Sequence, residues 1–161
     1  MIKKFNLLFI TFFFTGKIKF APGTIASFIT CFLFFLLLNI FNFTTLLLIT
    51  LFIFFYSFLA INNSFNEFKS DDPQEIVIDE VVGQVLPLLA IPIYETLYPL
   101  PVIYYYVSAF ILFRLFDIWK PYPISYVDNN IKGALGIMLD DIVASIYSTV
   151  ILIVIFFYLG G

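Results

Sequence analysis

Residues 44–61 read TTLLLITLFIFFYSFLAI, a stretch without a charged side chain. A helix needs about 20 mostly apolar residues to cross the hydrocarbon core of a bilayer, so this stretch predicts a membrane-spanning helix. Four further apolar runs predict spans of the same kind: residues 24–43, 76–93, 96–116 and 137–159. Whether residues 76–93 cross fully is left open, because this run holds acidic residues and two prolines. We expect an all-α polytopic bundle with about five transmembrane helices.

The composition also indicates a chain that is surrounded by lipid. Of its 161 residues, 62% are hydrophobic and only 12% are charged, and the mean hydropathy is +1.05. Soluble domains usually carry about 25% charged residues, so this chain has too few to cover a soluble surface. The length suits one membrane-embedded domain, residues 1–161. The small net charge of −3 argues against a nucleic-acid partner, because binding to a phosphate backbone needs a basic surface.

The first 23 residues predict an interfacial segment followed by a loop. Residues 5–14 are apolar but too short to cross a bilayer, and no small-residue cleavage site of a signal peptide follows them. Four lysines precede the first predicted span: Lys3, Lys4, Lys17 and Lys19. The positive-inside rule therefore predicts a cytoplasmic N-terminus. Alternation through five spans places residues 62–75 and 117–136 on the same side, together with nearly all remaining charges.

The residue types that are missing narrow the chemistry. The sequence has no histidine, which excludes a phosphohistidine or a histidine base. Its single cysteine, Cys31, lies in the apolar run 28–38. We interpret Cys31 as a packing residue, because a reactive thiolate needs an electropositive and partly exposed setting. Any reaction must use carboxylates, Lys, Arg, hydroxyls, backbone amides or a bound metal.

The first of three polar clusters reads DDPQEIVIDEVVGQ from Asp71. Asp71 and Asp72 suit the cap and first turn of a helix, which requires no function. Asp79 and Glu80 instead enter the apolar run, and an acid inside a membrane span is costly and marks function by default. Glu80 and Gln84 are four residues apart and share a helix face.

The second cluster reads FRLFDIWKPYPI from Phe113. Arg114 and Asp117 are three residues apart, so they share one face of a helix. An ion pair at the membrane boundary would explain these two residues without any function. The prolines after Lys120 end the helix and hold this lysine beside the site.

The third cluster reads KGALGIMLDD from Lys132. Its glycines permit a tight turn into a helix whose amide end can receive an anion. Asp140 and Asp141 then appear inside an apolar span, and Asp141 shares a stripe with Ser145, which predicts that it faces the bundle interior. The helix dipole explains one acid at this place but not two.

The three clusters predict one polar site at the cytoplasmic ends of the helices. Five carboxylates meet there: Asp79, Glu80, Asp117, Asp140 and Asp141. Their mutual repulsion predicts a hard divalent cation with oxygen ligands, of which Mg²⁺ is the usual choice beside phosphate. Three bases stand close enough to bind phosphate oxygens: Arg114, Lys120 and Lys132. Carboxylates, a cation and phosphate-binding bases are the parts of metal-assisted phosphoryl transfer.

These clusters, in this order, resemble the phosphatidylglycerophosphatase A family of bacterial inner-membrane enzymes. The matching segments are IDEVVGQ from Ile78, FRLFDIWKPYPI from Phe113 and KGALGIMLDD from Lys132. The segment APGT from Ala21 resembles the family's N-terminal motif, although the Ser-Pro pair that commonly precedes it is missing here. The resemblance covers residues 16–148.

The resemblance implies a Mg²⁺-dependent hydrolase that converts phosphatidylglycerophosphate to phosphatidylglycerol and phosphate, with its active site facing the cytoplasm. The implied metal ligands are Glu80, Asp117 and Asp141. The implied catalytic residues are Asp79, Asp140, Arg114 and Lys120. The implied substrate-binding residues are Gly23, Thr24 and Lys132. For Gly23 and Thr24, a plain helix start is the alternative.

Several alternatives stay open at this point. The nucleophile is either a metal-activated water or an aspartate that forms a phosphoenzyme. The substrate is either phosphatidylglycerophosphate or another lipid or isoprenoid phosphate. A non-enzymatic transport or structural protein is the rival class, but the apolar residues 150–158 disfavour an ion path through the membrane. The sequence does not predict an oligomeric state.

Overall fold

The computed structural model describes residues 2–68, 73–98 and 100–160. Within these ranges the chain forms eight α-helices and no strand, which confirms the all-α class. The helices are α1 (Ile2–Ile10), α2 (Pro22–Leu38), α3 (Phe43–Ser64), α4 (Ile78–Leu89), α5 (Ile91–Leu97), α6 (Val102–Trp119), α7 (Ile124–Asn130) and α8 (Gly133–Gly160). Asp71 and Asp72, which were predicted to cap a helix, lie outside the described residues.

Among the residues that the structure describes, four helical segments are long and apolar enough to cross a membrane: α3, α4 together with α5, α6, and α8 as far as Tyr158. The remaining predicted span corresponds to α2, an apolar helix of 17 residues. About 17–25 residues suffice for a span, so α2 stands at the short end of this range. The prediction of a helical membrane bundle is confirmed.

Two of the predicted spans have an end that lies well away from its predicted position. Residues 24–43 do not form one helix, because α2 ends at Leu38 and the Asn42 side chain caps α3 by accepting a hydrogen bond from the Thr45 N–H at 2.9 Å. The prediction that residue 96 begins the fourth span is wrong. Thr96 belongs to α5, and extended backbone at Pro101 delays the start of α6 to Val102.

Helix α4 is the span most enclosed by protein. It packs against α2, α3, α6 and α8, and half of the segment Ile78–Leu97 is buried, compared with 28% for α3. Of the two prolines that left this run uncertain, Pro87 lies inside α4, whereas Pro92 stands in the first turn of α5, just after α4 ends at Leu89. A helix that carries acids is thereby shielded from lipid on most of its circumference.

The N-terminal segment is docked on α3. Helix α1 has nine residues, about 14 Å, which is too short to cross a bilayer, as predicted. Its Asn6 side chain is buried and accepts a hydrogen bond from the Tyr56 hydroxyl at 2.8 Å. The chain then reverses so closely that a Cβ on Gly16 would lie 1.9 Å from the Glu75 carbonyl oxygen. This loop leads into the start of α2.

The order of the helices brings polar residues to one end of the bundle. Helices α2, α4 and α8 begin at this end, and α6 finishes there. The short helix α7 connects α6 to α8 across it. At the other end, Phe34, Leu88, Tyr105 and Phe156 form an apolar core between the same helices.

Candidate active site

The four helix ends enclose a polar cavity of about 510 Å³. All ten residues that the sequence singled out line it: Gly23, Thr24, Asp79, Glu80, Arg114, Asp117, Lys120, Lys132, Asp140 and Asp141. The cavity therefore brings together residues that lie far apart in the chain, as the sequence analysis expected of one shared site. The individual roles assigned to these residues stay predictions.

Three carboxylates form the centre of the site. Asp79 and Glu80 stand in the first turn of α4, where the helix dipole favours negative charge, and Asp141 faces them from α8. One oxygen from each carboxylate lies within 4.8 Å of the others. Such a spacing allows one small cation to contact all three.

Close packing of α4 and α8 produces this spacing. A Cβ on Gly83 would lie 2.8 Å from the Phe113 ring and 3.2 Å from the Asp141 Cβ, so only glycine admits both neighbours at this distance. The Ser145 hydroxyl lies 2.6 Å from the carbonyl oxygens of both Gly83 and Asp141 and bridges the two helices. The small residues therefore act on the site by setting the distance between its carboxylates.

Several acidic oxygens in the cavity are buried and have no hydrogen-bond partner among the described residues. They are Asp79 Oδ1, Glu80 Oε2, Asp140 Oδ1 and Asp141 Oδ2. Unpartnered buried charge is costly, and a hard cation with oxygen ligands would satisfy it. The all-oxygen donor set thus fits Mg²⁺ or a similar divalent cation.

Arg114 joins the carboxylate cluster to α6. Its guanidinium contacts the Asp117 carboxylate one turn further along and lies 3.9 Å from Glu80 Oε1. All three side chains are largely buried. Asp117 was predicted to be a metal ligand, but the structure groups Asp79, rather than Asp117, with Glu80 and Asp141.

Lys120 is fixed by two acids. Its backbone adopts the left-handed region, φ 46°, which ends α6 and turns the chain towards α7. Its ammonium nitrogen lies 2.7 Å from Asp128 Oδ1 and 2.7 Å from Asp140 Oδ2. Burial lowers the pKa of Lys120, but the hydrogen bonds that its ammonium group donates to Asp128 and Asp140 outweigh this effect, so the pKa is raised above its usual value. Lys120 is consequently a fixed positive charge at neutral pH.

Asp128 is the functional candidate that sequence reasoning missed. It stands in α7, lines the cavity and bonds to Lys120, yet it belongs to none of the three clusters. One feature of the sequence could have indicated Asp128: it is an acid between Lys120 and Lys132, in the segment that was predicted to lie on the cytoplasmic side. Lys132 lines the cavity rim with an exposed side chain.

The start of α2 closes the cavity opposite the acids. A Cβ on Gly23 would lie 1.9 Å from Glu80 Oε1 and 3.3 Å from a terminal nitrogen of Arg114. First-turn N–H groups have no acceptor within their helix, so the amides of Gly23 and Thr24 are donors available to an anion. The site therefore offers carboxylates for a cation and cationic and amide donors for an anion.

This fold and this site define a helical membrane protein that has, at one end of the bundle, a partly buried carboxylate cluster beside cationic side chains and free backbone amides. The family model of phosphatidylglycerophosphatase A matches residues 8–156. The chain belongs to this family, which confirms the resemblance seen in the sequence, and it is a phosphatase. The non-enzymatic alternative is thereby set aside.

Known relatives span most of the chain. A protein of Bacteroides thetaiotaomicron, provisionally named a phosphatidylinositol-3-phosphatase, is 38% identical over 93% of this chain and 92% of its own. Phosphatidylglycerophosphatase A of Haemophilus influenzae is 33% identical over 90% of this chain and 85% of its own. Phosphatidylglycerophosphatase A of Escherichia coli is 42% identical over 50% of this chain and 43% of its own. No solved structure matches the fold.

Proposed function

We propose that this phosphatase hydrolyses phosphatidylglycerophosphate to phosphatidylglycerol and inorganic phosphate, using Mg²⁺, on the cytoplasmic side of a bacterial inner membrane. The observation that carries the proposal is the group of three carboxylates, one buried and two half-buried, which shares one membrane-end cavity with Arg114 and Lys120. The names of the Haemophilus influenzae and Escherichia coli relatives support this substrate.

Asp79, Glu80 and Asp141 are the residues that would hold the cation. Their oxygens lie within 4.8 Å of one another, and each carboxylate has an oxygen without a hydrogen-bond partner among the described residues. Bound there, Mg²⁺ would neutralise the acids and polarise the phosphate ester.

The substrate phosphate would bind between Arg114, Lys120 and the first turn of α2. A phosphate monoester carries a charge of about −1.5 to −2 near neutral pH, so it needs cationic and N–H donors in a site rich in carboxylates. The planar guanidinium of Arg114 can donate to two phosphate oxygens, and the amides of Gly23 and Thr24 reach the same cavity. These donors stabilise the charge that develops on the phosphate oxygens as the ester bond breaks.

We assign Asp140 as the proton acceptor for the attacking water. Its Oδ2 is held by Lys120 at 2.7 Å, whereas its Oδ1 is buried without a hydrogen-bond partner in the described chain. The water oxygen forms the new bond to phosphorus, its proton passes to Oδ1, and that proton then moves to the departing glycerol oxygen. Acid-trapping of a phosphorylated aspartate during turnover would instead support the phosphoenzyme route.

The lysines of the N-terminal segment support a cytoplasmic site. Lys19 lines the cavity, so the lysine-rich N-terminus and the carboxylates lie at the same end of the bundle. By the positive-inside rule this end faces the cytoplasm.

The test is phosphate release by purified protein in detergent micelles. The substrate is phosphatidylglycerophosphate, assayed in Mg²⁺ and in EDTA, with phosphatidic acid as the comparison lipid. We expect release from phosphatidylglycerophosphate that depends on Mg²⁺ and exceeds release from phosphatidic acid. A folded preparation that releases no phosphate in Mg²⁺ would contradict the proposal.

A phosphoinositide is the second candidate substrate, because the Bacteroides thetaiotaomicron relative named for it is 38% identical over nearly the full chain. The chemistry is the same, since both lipids present a phosphate monoester to the cavity. Adding phosphatidylinositol 3-phosphate to the assay decides between them. If kcat/KM is higher for this lipid than for phosphatidylglycerophosphate, the proposed substrate is wrong but the proposed site still stands.

A further inference from the structure

An apolar groove lies on the lipid-facing side of the bundle, between α2 and α6. It has a volume of about 380 Å³. Its walls include Phe28, Phe32 and Phe35 on α2, and Val107 and Phe110 on α6. Cavities of this size that are lined by hydrophobic and aromatic side chains commonly bind small molecules.

The groove and the active-site cavity share the same two helices. Thr24 lines the cavity, and Phe28 stands one turn later on α2. Arg114 lines the cavity, and Phe110 stands one turn earlier on α6. The rings of Phe28 and Phe110 meet edge to face, with centroids 6.1 Å apart. The groove therefore starts about one helical turn from the phosphate donors.

Measured from the active-site cavity, the far end of the groove lies about as deep as the middle of a bilayer. From Arg114 to Val102 the axis of α6 rises about 18 Å, and from Thr24 to Phe35 that of α2 rises about 16 Å. Half of the hydrocarbon core of a bilayer is about 15 Å. An acyl chain that begins at the cavity would thus lie along the groove for most of its length.

We infer that this groove binds one acyl chain of the lipid substrate while the phosphate group occupies the cavity. The inference rests on the proposed function, and it names a diacylglycerol-based phosphate monoester as the ligand. Cys31 and Tyr106 form the floor of the groove, each only 8% exposed. In this arrangement Cys31 packs against the acyl chain and takes no part in the reaction, which agrees with its predicted packing role.

The first test fills the groove and compares two substrates. Val107→Trp places a large ring in the groove, and Val150→Trp is the control because Val150 is similarly exposed on α8 and does not line the groove. The assay compares kcat/KM for phosphatidylglycerophosphate with long chains and with four-carbon chains. We expect Val107→Trp to lower the long-chain to short-chain ratio at least tenfold and Val150→Trp to leave it within about twofold. An unchanged ratio in Val107→Trp overturns the inference and leaves the proposed function intact.

The second test measures binding without turnover. Phosphatidylglycerophosphate and phosphatidylcholine, each with a diazirine in one acyl chain, are photolysed with the protein in EDTA, and adducts are located by mass spectrometry. We expect the phosphate lipid to label residues 28–35 and 102–110 several-fold more than phosphatidylcholine does. Equal labelling by both lipids would show that the groove holds only bulk lipid. If the protein releases no phosphate but is labelled selectively, the proposed function is contradicted. The inference that the groove binds a lipid phosphate would still stand.

Discussion

Arg114 is the residue that we propose as the main donor to the substrate phosphate. Its guanidinium contacts Asp117 and lies 3.9 Å from Glu80, and both of its acidic neighbours are largely buried. Two carboxylates and a phosphate group require several donors in fixed directions. A guanidinium provides five, whereas an ammonium is a point charge.

Arg114→Lys should therefore lower kcat by about 10²- to 10³-fold, the loss typical of a preorganised electrostatic group. The matched control is Tyr122→Trp, because Tyr122 is 77% exposed and does not line the cavity. We expect this control to stay within about twofold of the parent. Phosphate release at saturating Mg²⁺ measures both, and an active Arg114→Lys would show that charge alone suffices.

Lys120 and Asp128 give a prediction for the dependence of stability on pH. The pKa of Lys120 is raised in the folded protein, so its contribution to stability is fully present below the pKa of an unfolded lysine, about 10.4. That contribution is lost as the pH rises through the folded-state pKa. Asp128→Asn removes one of the two acids that hold the ammonium group.

We expect Asp128→Asn to lower the melting temperature at pH 7 and 9, and the difference from the parent to shrink at pH 11. Glu67→Gln is the control, because the Lys3–Glu67 pair is exposed and surface pairs contribute little. Thermal unfolding in an alkali-stable detergent measures all three proteins. A difference that does not change with pH would assign Asp128 a role in packing alone.

At the scale of elements, the distance between α4 and α8 sets the distance between the carboxylates. At Gly83, α4 lies close to Asp141 on α8 and to Phe113 on α6. Replacing glycine by alanine inside a helix normally stabilises it by about 0.5–1 kcal/mol. The contacts at Gly83 reverse this expectation.

Gly83→Ala should destabilise the protein by about 1–3 kcal/mol, the usual cost of overpacking. It should also lower activity, because the added methyl group pushes Asp141 away from Glu80. Unfolding in denaturant and phosphate release check the two effects. A variant that is more stable than the parent would contradict the close packing.

The helices themselves could be predicted from the sequence, because a span in lipid must be long and apolar. Their ends were harder to place. Residues 96–116 were predicted to form one span, because they make a continuous apolar run. The extended backbone of Pro101, which hydropathy does not reveal, delays the start of α6. The shared polar end was predicted correctly, because alternation of spans places the three clusters on one side.

The grouping of side chains within the site could not be predicted in the same way. Asp79 rather than Asp117 joins Glu80 and Asp141, because contacts at Gly23 and Gly83 set how the helices approach. Asp128 was missed because the left-handed turn at Lys120 returns the chain over the cavity. Both features depend on tertiary geometry that residue spacing does not contain.

For the protein in its membrane, the proposed function requires that the site face the cytoplasm. The cavity and Lys19 lie at the same end of the bundle, and α7 lies across it. At the exposed Asn130, an inserted reporter enzyme should be active only if it is of the kind that works in the cytoplasm. At the exposed Asn39 turn, only a reporter of the kind that works outside the cytoplasm should be active. If a reporter that works only outside the cytoplasm were active at Asn130, the topology would be the reverse of the one proposed.

In the proposed function, the carboxylates of Asp79, Glu80 and Asp141 hold a divalent cation. Without metal, they are like charges in a partly desolvated cluster, so removal of one should relieve repulsion. Asp117 is different because it contacts Arg114. Its loss leaves the guanidinium of Arg114 with only the longer contact to Glu80, so Asp117→Asn should be less stable than the parent in EDTA.

Thermal unfolding in detergent, with EDTA and with excess Mg²⁺, tests this claim most directly for the parent, Glu80→Gln and Asp141→Asn. We predict that Mg²⁺ raises the melting temperature of the parent through linkage and raises that of the two variants far less. In EDTA, both variants should be as stable as the parent or more stable. If both variants lose stability in EDTA and keep the parent's full response to Mg²⁺, the carboxylates are structural and do not form the metal site.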